Sequence, residues 1–145
     1  MKTCLFPILA LFLVANCTAQ PPTRTIVQAS GPNRIEVLDF HNEHRCATCL
    51  EIERLTKKIL AEGYSDAVKK GLITFRLINV DEKANGAMVD KYTAYGTTLI
   101  ISSVKNGKEE FVDLTNFAFM NYNKEGKFSA GIKEELDAAL QKVRP

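Results

Sequence analysis

Two cysteines three positions apart, Cys46-Ala-Thr-Cys49, hold the most reactive side chains of this chain. They stand where a strand-like run, Arg34-Ile-Glu-Val-Leu-Asp-Phe40, gives way to a helix-patterned segment. Thiols at that spacing on a helix N-terminus pass between dithiol and disulfide with little backbone movement, which is redox chemistry. If the helix begins at Cys46, its free N–H groups and the positive end of its dipole face the first sulfur. Arg45 and His44 add positive potential, and Thr48 is placed to donate a hydrogen bond. Each effect favours thiolate over thiol, so Cys46 is expected to be the nucleophile. Cys49, one turn on and more buried, is expected to resolve the mixed disulfide.

Other uses of the same sulfurs compete with this one. A structural bridge closing so short a loop restricts the unfolded chain little, so stability explains the pair poorly. His41, His44, Cys46 and Cys49 form a compact donor set suited to zinc or copper, which makes a metal-binding or metal-delivery module the runner-up. Histidines at a strand exit are more often solvated loop residues, so no metal ligand is assigned. A non-catalytic binding domain with a vestigial disulfide is the third reading. Asp39, at the end of the strand-like run, would have its pKa raised by burial, the alternative being a partly exposed strand-end acid.

The flanking pattern says what must position the pair. Ile35 to Phe40 has the length and apolar content of a buried strand. From Cys46 to Glu62 the period is helical, with Cys49, Ile52, Leu55 and Ile59 on one face and Gly63 at the stop. The Glu/Lys-rich side of Glu51 to Lys58 is expected to face water. Ser65 to Lys70 reads as a short turn ended by Gly71. Leu72 to Val80 is a second strand, and Asp81 is expected to cap a helix reaching Tyr92. Thr97 to Ser103 is a third strand, Asn106-Gly107 a hairpin turn, and Glu110 to Leu114 the return strand. An aromatic stretch, Phe117, Phe119, Met120 and Tyr122, is expected to pack beneath a final helix over 128–143, the alternative being a stripe that docks peptides. Alternating strands and helices imply parallel pairing, with the hairpin adding antiparallel strands at one edge.

Residues 1–19 read as a signal peptide, with Lys2 ahead of an apolar stretch, Leu5 to Ala15, too short to span a bilayer. Cleavage after Cys17-Thr18-Ala19 would leave Gln20 first. Val14-Ala-Asn-Cys17 resembles a degenerate lipobox that would lipidate Cys17 and tether the protein to a membrane, although Asn16 fits it poorly. Both routes lead out of the cytoplasm, to a periplasmic or secreted protein. Cys4 leaves with the signal, and Cys17 leaves or carries lipid, so Cys46 and Cys49 remain as a lone pair. Such a pair is not the framework of a disulfide scaffold. Without Lys2, 18 basic residues face 17 acidic ones, a balance that predicts neither a nucleic-acid nor a membrane surface. The remainder is the size of one domain.

With these elements in this order, the chain resembles the thioredoxin superfamily, closely over residues 34–108 and loosely in the final helix. Asp39-Phe40 followed by Cys46-Ala-Thr-Cys49 is similar to the family's strand-end Asp-Phe and active-site cysteines. Asn79-Val-Asp81, Lys91-Tyr92, Tyr95-Gly96-Thr-Thr-Leu-Ile and Lys105-Asn-Gly-Lys108 resemble its second strand, helix, substrate-facing loop and hairpin. The resemblance implies a three-layer α/β/α sandwich over residues 34–145, with a central mixed sheet of four or five strands. Residues 20–33 would precede it as a surface segment, with 25–28 available as a short strand. It also implies an extracytoplasmic thiol–disulfide oxidoreductase acting as a monomer, without a cofactor, on protein thiols, protein disulfides or small thiols. A redox partner would regenerate the pair. Thr97 and Thr98 would face the substrate, and Asp39 would match the buried acid that relays the resolving cysteine's proton. Three departures stand out: the approach to Cys46 is one residue longer and lacks aromatics, the central dipeptide is Ala47-Thr48, and Thr98 replaces the family's cis-proline. A non-proline peptide strongly prefers trans.

Overall fold

A computed structural model of the protein describes residues 23–27 and 31–144. Residues 1–19, read above as a signal peptide, and with them Cys4, Cys17 and the expected first residue Gln20, lie outside the described residues.

The strand-like run becomes β2, Arg34–His41, and takes the centre of the sheet. Ile35, Val37, Leu38 and Phe40 are fully buried, as expected of a strand covered on both faces. It pairs in parallel with β3, Ile73–Asn79, and antiparallel with β4, Thr98–Lys105. β5, Lys108–Asp113, returns antiparallel to β4 through Asn106 and Gly107. Their φ values of 51° and 75° give the backbone twist a tight hairpin needs. A fifth strand, β1 at Thr23–Val27, pairs antiparallel with β5, giving the order β1-β5-β4-β2-β3. It falls two residues earlier than the expected 25–28 and extends the sheet back beyond residue 34.

Side chains alternate across a strand, so the sheet carries two apolar layers. On one face Ile35, Val37, Leu99 and Ile101 meet α1, Ala47–Gly63, α4, Thr115–Asn121, and α5, Glu125–Val143. On the other, Leu38, Phe40 and Ile100 meet Tyr92 of α3, Gly86–Tyr92. The architecture is the expected three-layer α/β/α sandwich with a mixed sheet, and it is compatible with a thioredoxin-like fold.

Several boundaries move for identifiable reasons. Gly63 does not stop α1 from outside; it is the last helical residue, and Tyr64 follows as the cap. The Tyr64 hydroxyl donates to Asp137 on α5 at 2.8 Å, so an aromatic anchor marks that end. Ser65 opens the short helix α2, Ser65–Lys69, without a side-chain cap. Asp81 does not cap a helix either. A 3₁₀ turn at Lys83–Asn85 precedes α3, and the Asp81 carboxylate is taken by the backbone N–H of Glu43 at 2.7 Å.

Two contacts hold the outer helices in place. Glu109 of β5 is buried and accepts hydrogen bonds from Lys91 and Tyr92 at 2.5 Å each and from Ser102 at 2.7 Å. Burial pushes its pKa up, but these donors outweigh that and hold the carboxyl below its ordinary value. On the opposite face, Phe117 of α4 packs against Phe128 of α5 with ring centroids 6.3 Å apart. The Phe117 ring fills the space where a side chain at Gly131 would begin. Gly131→Ala is therefore expected to destabilise the protein by about 1–3 kcal/mol, read from urea unfolding. Unchanged stability would show that the ring moves aside at no cost. Phe119 and Met120 do not pack under α5 as expected but are exposed, Met120 at 71%.

Candidate active site

β2 ends at His41, and residues 42–46 carry the chain from the sheet to α1. Asp81 and Asn79 pin this crossing. Asp81 accepts from the Glu43 backbone and from Asn42 Nδ2 at 3.4 Å, while Asn79 Nδ2 donates to Glu43 at 2.8 Å. The approach to the first cysteine is thus a tied loop. Cys46 then serves as the N-cap of α1, with φ −80° and ψ 160°. Its Sγ accepts the backbone N–H of Cys49 at 3.2 Å. A sulfur in the N-cap position takes the place of the oxygen that normally satisfies a free amide there, and the positive end of a seventeen-residue helix lies behind it. Thr48, expected to donate to the same sulfur, has no hydrogen bond to it.

Cys46 and Cys49 are joined as a disulfide with Cα atoms 5.2 Å apart. Cys46 is exposed, whereas Cys49 retains 6% of its surface. Cys49 is thus the more buried of the two, as its place one turn into the helix leads one to expect. Thr97 comes to the second, its Oγ1 lying 3.4 Å from Cys49 Sγ. Thr98 does not reach the sulfurs by a hydrogen bond. It is buried at the start of β4, paired with Phe40, and its hydroxyl donates to the Gly96 carbonyl at 3.1 Å. No cis peptide occurs among the described residues, so the bond before Thr98 is trans.

Neither histidine joins the sulfurs. His41 Nδ1 meets the Asn42 carbonyl at 2.9 Å, and His44 is exposed. Among the described residues no group of three His, Cys, Asp or Glu side chains gathers as a metal site.

Behind the pair, Asp39 is 1% exposed on the face of β2 that packs under α1. It is therefore not a partly exposed strand-end acid. Burial pushes its pKa up to about 7, with Arg45 and Lys57 opposing the rise and Glu53 adding to it. Arg45 differs from expectation. Instead of projecting toward the thiolate, it folds inward and ion-pairs with Glu53, both side chains largely buried. Glu53 also binds Lys57, so it is not part of the solvated face assigned to Glu51 to Lys58. The missed signal is its spacing: Glu53 stands four residues after Cys49 and shares that residue's side of the helix.

No family model, curated protein or solved structure matches the chain. The Cys-x-x-Cys pair at disulfide distance, set on an α/β sandwich, fits a redox-active site.

Proposed function

We propose that this chain is an extracytoplasmic thiol–disulfide oxidoreductase of the thioredoxin superfamily, exported by residues 1–19 and acting as a monomer. One observation carries the reading: the exposed residue Cys46 caps α1 through its sulfur while its bonded partner Cys49 is buried. A structural bridge gains nothing from that asymmetry, whereas exchange requires one reachable sulfur and one shielded sulfur.

In the reducing direction the pair begins as a dithiol. The Cys46 thiolate attacks one sulfur of a substrate disulfide, forming a mixed disulfide and expelling the other sulfur as a thiolate that takes up a proton. Cys49 loses its proton and attacks Cys46, which re-forms the intramolecular bond and releases the second substrate thiolate. Two electrons pass from the pair to the substrate, and a redox partner restores the dithiol. The oxidising direction is the same sequence reversed. Thr97, beside Cys49, and Thr98, at the start of β4, belong to the loop expected to meet the substrate. Exposed Leu50 and Tyr95, next to Cys49 and ahead of that loop, offer apolar contact to protein substrates.

The test is the rate of Cys46 alkylation against pH on the reduced protein, with a glutathione titration of the pair. Cys46 is expected to alkylate first, with a midpoint below the free-thiol value of about 8.5, and the pair to cycle reversibly with glutathione. A midpoint at or above that value, or a bond that glutathione cannot open, defeats the proposal.

A further inference from the structure

β3 ends the sheet in the order β1-β5-β4-β2-β3, so one of its edges has no neighbouring strand among the described residues. Two bonds at its ends fix which backbone groups point there. The Leu72 carbonyl accepts from the N–H of Ile35, and the N–H of Val80 donates to the His41 carbonyl, each at 2.8 Å. Direction alternates along a strand, so Thr74, Arg76 and Ile78 face β2, while Ile73, Phe75 and Leu77 face outward. No hydrogen bond among the described residues reaches the outward N–H or carbonyl of those three. The free stretch stops at Asn79, whose carbonyl accepts from Asn85 Nδ2 at 2.8 Å.

The side chains of Ile73, Phe75 and Leu77 lie on the face of the sheet that packs under α1. There the free edge borders a groove of about 440 Å³ between α1, α2 and β3, with Leu60, Ala61, Val68 and Phe75 in its lining. Its charged members among the described residues are both lysines, Lys57 and Lys69. Lys57 Nζ lies 5.3 Å over the Phe75 ring, and Val68 and Leu77 are exposed at 40% and 41%. Arg76 is exposed on the opposite face of the strand. Neither Lys69 nor Arg76 has an ion-pair partner among the described residues. The edge is therefore apolar on one face and cationic at its rim and on the other.

We propose that the outer edge of β3 docks an extended segment of a partner protein in which apolar and acidic side chains alternate. The segment adds as a sixth strand, its backbone paired with Ile73, Phe75 and Leu77. Because side chains alternate along a strand, its apolar residues fall beside Phe75 and Leu77 over the groove, and its acidic residues fall on the face of Arg76. The lysine rim favours the same negative charge. Charge also decides against other occupants. A second copy of this chain would bring its own Arg76, Lys57 and Lys69 against the first set, which repels. Residues 1–22, 28–30 and 145, outside the described set, contain no acid to meet these cations. Leu60 stands roughly 20 Å along α1 from Cys46, so docking here does not depend on the oxidoreductase reading.

The probe is a peptide of about seven residues alternating valine and glutamate, titrated into the nitrogen-15-labelled protein and followed by NMR and amide hydrogen exchange. In the free protein the amides of Thr74, Arg76 and Ile78 should exchange slowly and those of Ile73, Phe75 and Leu77 fast. The peptide should slow the second three by at least about tenfold. A matching valine–lysine peptide should bind at least about tenfold more weakly. Arg76→Glu should weaken binding of the valine–glutamate peptide by about fivefold or more. Leu77→Pro deletes one outward N–H, a change an edge strand tolerates, and should abolish binding. If that variant fails to fold, Arg76→Glu, at an exposed position, still carries the test. Equal affinity for the two peptides, or unchanged affinity in Arg76→Glu, would overturn the proposal. No binding at all would show that the cations only blunt the edge, and would overturn it too. So would slow exchange of the three outward amides without peptide. In a monomer that result assigns the edge to the chain's own residues, and in a species whose mass grows with concentration it assigns the edge to a second copy.

Discussion

Cys46→Ser is expected to reduce disulfide exchange to the uncatalysed background, whereas Cys49→Ser keeps the first half of the reaction and stalls on the second. The difference follows from exposure. Cys46 is the sulfur a partner can reach, and its position at the mouth of α1 favours the thiolate. Without it no mixed disulfide forms, because Cys49 lies beneath the surface. Without Cys49 the mixed disulfide forms but has no neighbouring thiol to release it. The measurement is insulin reduction with a dithiol donor, combined with mass spectrometry of trapped adducts. Cys49→Ser should accumulate a covalent complex with substrate through Cys46, and Cys46→Ser should accumulate none. Equal trapping by both variants would contradict the asymmetry. Full activity in Cys46→Ser would remove the redox role.

The second large effect is on stability. Asp39→Asn is expected to stabilise the protein by about 2–4 kcal/mol at pH 8 and by little at pH 4. The sign follows from proton counting. An ordinary unfolded aspartate titrates near 3.8, but folded Asp39 holds its proton to about 7. Between those values the folded state carries a proton that the unfolded chain has lost, so stability falls as pH rises through that window and then levels off. The interval corresponds to about 4 kcal/mol by the usual conversion. Asparagine fills nearly the same space without a charge and removes the cost. Chemical unfolding of the two oxidised proteins at both pH values checks it. A stability gain of equal size at pH 4 would show that packing, not ionisation, is responsible. A loss at pH 8 would mean that the carboxylate is favourably bound.

A protein that keeps an ionisable carboxyl in this position gives up stability for it.

Most of the architecture is legible before any coordinates. The apolar run from Ile35 to Phe40 and a 3.6-residue period after Cys46 identify the central strand and the helix behind it, because burying apolar surface is the main driving force. The hairpin at Asn106-Gly107 is legible because few residues accept φ near 51° and 75° in succession. Local chemistry can mislead where a distant group competes. Asp81 has the type and position of a helix cap, but the Glu43 backbone, 38 residues away, takes its carboxylate. Gly63 looks like a helix stop, but the docking of Tyr64 on α5 settles that end.

The cysteine pair and its place on a helix N-terminus follow from residues adjacent in the chain, since backbone geometry over one turn suffices to define them. The surroundings of that pair do not. Only folding brings Thr97 to Cys49, takes Thr98 out of reach, buries Asp39 without a partner and turns Arg45 inward to Glu53. Spacing along one chain tells which side of an element a charged group occupies. Which opposite charge it meets there depends on how β2, the crossing loop and α1 pack, where low polarity makes each pairing exclusive.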